Sequence, residues 1–324
     1  MTMNSGISRP LMMAARVLVA LSLTALPGTA AASTPHPGSV DEGGGGSVSG
    51  PREKVRELRL PTVAEPKTAP RSARSKGAVA GRQIVHYGPM TVPAGMVWRQ
   101  WVYCPSGMRA VNGGESNSSP GGVRLIHTGP LTPSTAAGWI VNVRNLSGSS
   151  ASMTVYAVCD SNVSDYLFTE GAHRIAEPGV YRAASATCTD GRKAVGGGFW
   201  PVPNTVNAPA LAPDSTGDTW TNYVRNTGVE NVDVWPYAVC VRGTGPYQVV
   251  EGQLGTVGVG ELRSATATCP SGWRLIGGGV LQPHNSPVGA VTDTYPESDS
   301  SWQSYVYNDS PYETRIQGIA FCTF

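Results

Sequence analysis

Six cysteines set in a threefold internal repeat constrain this chain more than any other feature of its 324 residues. The segment Cys104-Pro-Ser-Gly-Met-Arg-Ala-Val-Asn-Gly-Gly returns as Cys188-Thr-Asp-Gly-Arg-Lys-Ala-Val-Gly-Gly-Gly and as Cys269-Pro-Ser-Gly-Trp-Arg-Leu-Ile-Gly-Gly-Gly. The copies close on Tyr-Ala-Val-Cys159, Tyr-Ala-Val-Cys240 and Ile-Ala-Phe-Cys322. A tryptophan stands twenty residues before each closing cysteine (Trp139, Trp220, Trp302), and an asparagine fourteen before it (Asn145, Asn226, Asn308). Six cysteines allow fifteen pairings. With one opening and one closing cysteine per copy, the simplest is Cys104 with Cys159, Cys188 with Cys240 and Cys269 with Cys322. Such bridges suit an oxidising compartment and help a module too small to build a large core.

The copies run over Gln83–Cys159, Tyr166–Cys240 and Tyr247–Cys322. Inside each, apolar and polar residues alternate over short runs broken by Gly, Pro, Asn and Ser, which is the pattern of strands. In the third copy the expected strands are 247–251, 261–269, 274–281, 289–295, 302–308 and 314–322. The alternation of Trp139, Val141 and Val143 puts the tryptophan on the core face. The fold class expected is all-β: three tandem antiparallel β-sandwich-like modules, each with one internal disulfide and its own small core. One pseudo-threefold, β-prism-like assembly is the alternative, and the short connectors 160–165 and 241–246 permit either. Asn112 stands where the other copies have Gly196 and Gly277. That exchange predicts a left-handed residue or a bulge. Gly107, Gly191 and Gly272 are expected to close turns.

Ahead of the repeats, Arg9 and Arg16 flank a polar start, and an apolar run from Val17 to Leu26 leads to Ala30, Ala31 and Ala32. That order predicts a removed signal peptide over 1–32, since the run is about half of what spans a bilayer. Residues 33–82 read as a flexible linker or pro-segment. Nine Lys or Arg and three Glu lie between Pro51 and Arg82, whereas from Gln83 onward there are thirteen basic and seventeen acidic residues. The positive charge is thus off the repeats, opposite to what a nucleic-acid protein needs. The expectation is a secreted, extracellular, wall-associated protein with neither nucleic-acid binding nor membrane insertion.

The opening Cys-Pro-x-Gly, the basic residue two further on, the glycine triplet, the Trp, the Asn and the closing Ala-Val-Cys together resemble a small module of exported actinobacterial and collagen-like or fibre-like bacterial proteins. The resemblance covers nearly all of 83–322 and departs at Thr189, Asp190 and Asn112. It implies export and β structure but carries over no catalytic residue. A looser similarity is to the vitelline membrane outer layer proteins, with three β repeats about a pseudo-threefold axis.

No His-Glu-x-x-His, Gly-x-Ser-x-Gly, Gly-x-x-x-x-Gly-Lys or Cys-x-x-Cys occurs, and His86, His127, His173 and His284 do not recur at one repeat position. The expectation is therefore no enzyme, no cofactor and no metal. Asp293, Glu297 and Asp299 form an acidic group with oxygen ligands of the kind calcium takes, but no other copy has it, and a solvated turn is the preferred reading. The fifth residue after each opening cysteine is basic, Arg109, Lys193 and Arg274. These are candidate ligand contacts for an anion or sugar, with a structural role preferred. The stretches 115–138, 199–219 and 280–301 differ most between copies and are the expected binding loops. The function expected is non-catalytic binding or adhesion to surface polysaccharide or another extracellular protein. The alternatives are a structural envelope protein and an exported inhibitor or partner of a secreted enzyme.

Overall fold

The computed structural model describes residues 73–74, 81–131, 135–242, 246–282 and 288–324. The expected signal peptide, nearly all of the basic linker and His284 lie outside them. Beyond β1 (Ala73–Arg74), the first copy contains β2 (Arg82–Val92), β3 (Val97–Tyr103), β4 (Arg109–Asn117), β5 (Val123–Pro130), β6 (Gly138–Asn145) and β7 (Ala151–Asp160). The second contains β8 (Ser164–Glu170), β9 (Arg174–Ala176), β10 (Tyr181–Thr187), β11 (Lys193–Val202), β12 (Val206–Pro213), β13 (Thr219–Asn226) and β14 (Val232–Arg242). The third contains β15 (Tyr247–Glu251), β16 (Gly255–Val257), β17 (Leu262–Thr268), β18 (Arg274–Leu281), β19 (Ala290–Pro296), β20 (Ser301–Tyr307) and β21 (Thr314–Thr323). The six strands expected in the third copy are present within a residue or two of their expected ends. The three-residue β16, too short to show alternation, was not legible.

These strands form three seven-stranded antiparallel sheets, and the disulfides are the three expected, each within one copy. Each copy supplies two half-sheets. In the first copy these are β2-β7-β4 and β3-β6-β5, and their free inner edges join other copies: β4 meets β19 of the third, and β5 meets β11 of the second. The circuit closes where β12 of the second copy meets β18 of the third. Three sandwich-like copies, each with its own disulfide and tryptophan, are thus merged edge to edge into a pseudo-threefold β-prism. The two arrangements weighed from sequence prove to be levels of one architecture. The leaning toward three separate cores is corrected, because the buried apolar residues run continuously through all copies.

The glycine triplets explain how the copies meet. At the first position, a Cβ on Gly196 would lie 2.2 Å from the Val111 carbonyl oxygen, and one on Gly277 would lie 2.3 Å from that of Val195. The three backbones converge there, with room for one side chain only. Asn112 fills it, donating from Nδ2 to the carbonyls of Val195 (2.9 Å) and Gly278 (3.2 Å) and accepting the Gly113 amide at 2.7 Å. A bulge is present just before this position in every copy, as the register slips between Ala110 and Asn112, Ala194 and Gly196, and Leu275 and Gly277. The left-handed alternative does not occur at Asn112, whereas Gly107, Gly191 and Gly272 have φ of +82°, +73° and +84° in their turns. At the second position Gly113, Gly197 and Gly278 lie against the indoles of Trp139, Trp220 and Trp302, where a Cβ would come within 2.2–2.4 Å of the ring. All three tryptophans are fully buried, as the alternation predicts.

The repeated asparagine closes a turn. Asn145 Nδ2 donates to the carbonyls of Val92 and Ser149, while its Oδ1 accepts the Ser147 amide. Asn226 and Asn308 repeat the arrangement with Ala176 and Glu230, and with Val257 and Tyr312. A buried amide so completely paired fixes backbone that would otherwise leave unsatisfied carbonyls.

Candidate binding face

The pseudo-threefold arrangement makes the three sheets comparable position by position, and one differs from the others in chemistry. It is the sheet ordered β3-β6-β5-β11-β14-β8, shared by the first and second copies. Along β6, Trp139, Val141 and Val143 face the core, so Asn142 points to the other side. The register carries that side across the strands. Asn142 pairs with Arg99 on β3 and with His127 on β5. Phe199 opposite Thr128 places Trp200 beside His127, and Trp200 pairs with Trp235 on β14. His173, just before β9, completes the row by stacking on Trp235 at 4.8 Å between ring centroids.

The row is graded in burial. Trp235 is 43% exposed, His173 is exposed, Trp200 and Arg99 are half-buried, and His127 is buried beneath them. The Arg99 guanidinium reaches over its neighbours to lie 5.2 Å from the Trp200 ring centre, and His127 meets the same indole edge-on at 4.5 Å. His127 Nε2 is 2.8 Å from the Tyr237 hydroxyl, which also donates to the Thr128 carbonyl. Gly129 permits this, since a Cβ there would collide with the Tyr237 ring. Burial, and then the positive charge of Arg99, push the His127 pKa down to about 3, so the imidazole is neutral at ordinary pH.

The corresponding positions elsewhere carry no indole. Trp200 and Trp235 are matched by Ser116 and Thr154 in the sheet of the first and third copies, and by Leu281 and Gln317 in that of the second and third. The same cross-strand pair therefore forms in three sheets, and only this one presents exposed aromatic surface at it.

The first-and-third-copy sheet holds a buried carboxyl pair instead. Glu115, where the other copies have Phe199 and Val280, is fully buried with Oε1 unpartnered among the described residues. Asp293 accepts the Asn117 amide at 2.6 Å and the Thr292 hydroxyl at 3.0 Å. Burial, and secondarily the charge of Asp293, raise the Glu115 pKa, and burial raises that of Asp293 to about 6.

These groups predict stability falling on both sides of a maximum. His127 is depressed in the fold, so its contribution is present above its unfolded value near 6.5 and lost as pH falls toward 3. The carboxyl pair is raised, so its contribution is present below about pH 4 and lost as pH rises through about 6. Urea midpoints measured across this range should show His127→Gln flattening the acid limb and Glu115→Gln the neutral limb. Identical profiles for wild type and both variants would contradict the assignment.

The candidate contacts expected from sequence do not form a set. Arg109, Lys193 and Arg274 stand at or near the starts of β4, β11 and β18. Arg109 lies over the Tyr166 ring at 5.3 Å. Lys193 pairs with Asp218 at 2.6 Å and also donates to the Thr216 carbonyl, while Arg274 is exposed. The solvated turn preferred for Asp293, Glu297 and Asp299 is corrected in part: Glu297 and Asp299 are exposed beyond β19, whereas Asp293 is buried within it. Within the stretches read as binding loops, β5 and β12 are buried at every residue and β19 at all but one, while His127 and Trp200 of the aromatic row lie in the first and second of those stretches. Each of those strands packs a different seam between copies: β5 against β11, β12 against β18 and β19 against β4.

No family model matches the chain, and no curated protein matches it. Three disulfides, and no helix among the described residues long and apolar enough to cross a membrane, are consistent with an extracellular protein.

Proposed function

We propose that the protein is a secreted, non-catalytic binding protein whose ligand is an extracellular polysaccharide held on the Trp200–Trp235 face. One observation carries this reading: a half-buried and an exposed indole, Trp200 and Trp235, occupy a cross-strand pair that the same fold fills elsewhere with Ser116 and Thr154 or with Leu281 and Gln317. Packing does not require them there. The C–H faces of sugar rings stack on aromatic faces, and an indole offers a large apolar surface for such a contact. A ligand crossing the strands meets successive side chains about 4.8 Å apart. Export by residues 1–32 and wall association through the basic segment 51–82 belong to the same proposal, in keeping with the resemblance to exported bacterial modules. Pull-down on insoluble polysaccharides tests it. Trp200→Ala and Trp235→Ala should each weaken retention roughly tenfold, about 1.4 kcal/mol, and Trp235→Ala should leave the melting temperature nearly unchanged. Retention that ignores both substitutions would remove this face from consideration.

A further inference from the structure

Resting on that reading, we propose that the polysaccharide is acidic and that Arg99 receives its anionic group beside the sugar ring stacked on Trp200.

Among the described residues, several cations pair with carboxylates. Arg82 pairs with Asp160 at 2.8 Å, Arg182 with Glu177 at 2.7 Å, Arg192 with Asp165 and Asp190 at 2.8 and 2.9 Å, and Lys193 with Asp218 at 2.6 Å. Arg99 has no carboxylate partner among the described residues, although it is half-buried and its guanidinium is spread over an indole. Burial lowers its pKa. Arg144, on the same side of the adjoining strand β6 and opposite Val97, is likewise half-buried and donates only to the Asn204 carbonyl among the described residues. Burial lowers its pKa as well. The acids of this face, Asp233 opposite Val202 and Glu170 opposite Tyr237, are carried on β14 and β8. Those strands lie four or five positions from β3, about 19 Å or more at ordinary strand spacing. The face therefore has a cationic end at Arg99 and Arg144, joined to its aromatic part through Trp200.

A partly dehydrated guanidinium without a counter-ion is costly, and a carboxylate or sulfate offsets that cost by accepting two parallel N–H bonds from its planar fork. His127 cannot compete for the anion. It is buried, neutral and already hydrogen-bonded to Tyr237. Trp200 offers the stacking surface next to that charge, so ring and anion are read together.

Equilibrium binding to polygalacturonate, its fully methyl-esterified form, dextran sulfate, dextran and polyglutamate tests this with the full chain. Polygalacturonate should bind at least tenfold more tightly than the ester. Arg99→Gln should remove that preference without weakening ester binding, and Arg99→Lys should restore part of it. Dextran sulfate bound above dextran with the same Arg99 dependence would support the shared chemistry and identify sulfate as a source of the anion. Equal affinity for polygalacturonate and its ester would overturn the role of Arg99 while leaving stacking intact. Polyglutamate bound as tightly as polygalacturonate would overturn it as general polyanion attraction. Saccharide binding absent throughout would overturn the underlying reading as well.

Discussion

Reducing the three disulfides is expected to unfold the protein at room temperature. The bridges span 55, 52 and 53 residues, and the chain-entropy model assigns each about 4 kcal/mol of stability. Together they contribute about 12 kcal/mol, comparable with the roughly 5–15 kcal/mol that separates most folded domains from their unfolded chains. The bridges tie the end of each opening segment to the last strand of the same copy, so none staples one copy to another. Removing a single one by replacing Cys188 and Cys240 with Ala should therefore cost about 4 kcal/mol, read as a shift in the urea midpoint. A reduced protein that melts at the temperature of the oxidised one would show that the prism stands without them.

Trp220→Ala is expected to be the most damaging single replacement of an aromatic residue, at about 3–5 kcal/mol. The indole is fully buried, donates from Nε1 to Asn222 Oδ1 at 3.1 Å, and lies against Gly197 on one side while its ring centre is 6.0 Å from that of Phe321 in the next copy. Its loss opens a cavity and leaves Asn222 one partner short. Gly197→Ala attacks the same contact from the other side. The added Cβ would stand 2.4 Å from the Trp220 ring and 2.6 Å from the Tyr237 carbonyl oxygen, and neither atom has a free direction in which to move. Calorimetry of both variants beside Trp235→Ala separates scaffold from surface: large losses for the first two and a change within about 0.5 kcal/mol for the third. A thermally normal Trp220→Ala protein would contradict the core assignment.

The sequence alone determined what depends on local period and on repetition. Alternation placed the six long strands of the third copy and sent Trp139, Trp220 and Trp302 inward, because a strand turns successive side chains to opposite faces. Repetition paired the cysteines, because equivalent residues occupy equivalent places. It also marked the asparagines and glycines, without saying what they touch. The tertiary structure decided how the copies join. Asn112, Gly196 and Gly277 are far apart in the chain and meet around one axis, where three backbones approach too closely for more than one side chain. It likewise decided which side chains form the aromatic row. Arg99, His127, Trp200 and Trp235 come from two copies and share no motif, and they form one row only because β5 lies against β11. Pairing across such sequence distances depends on how edges and core volumes fit, and neither leaves a period in the sequence to read.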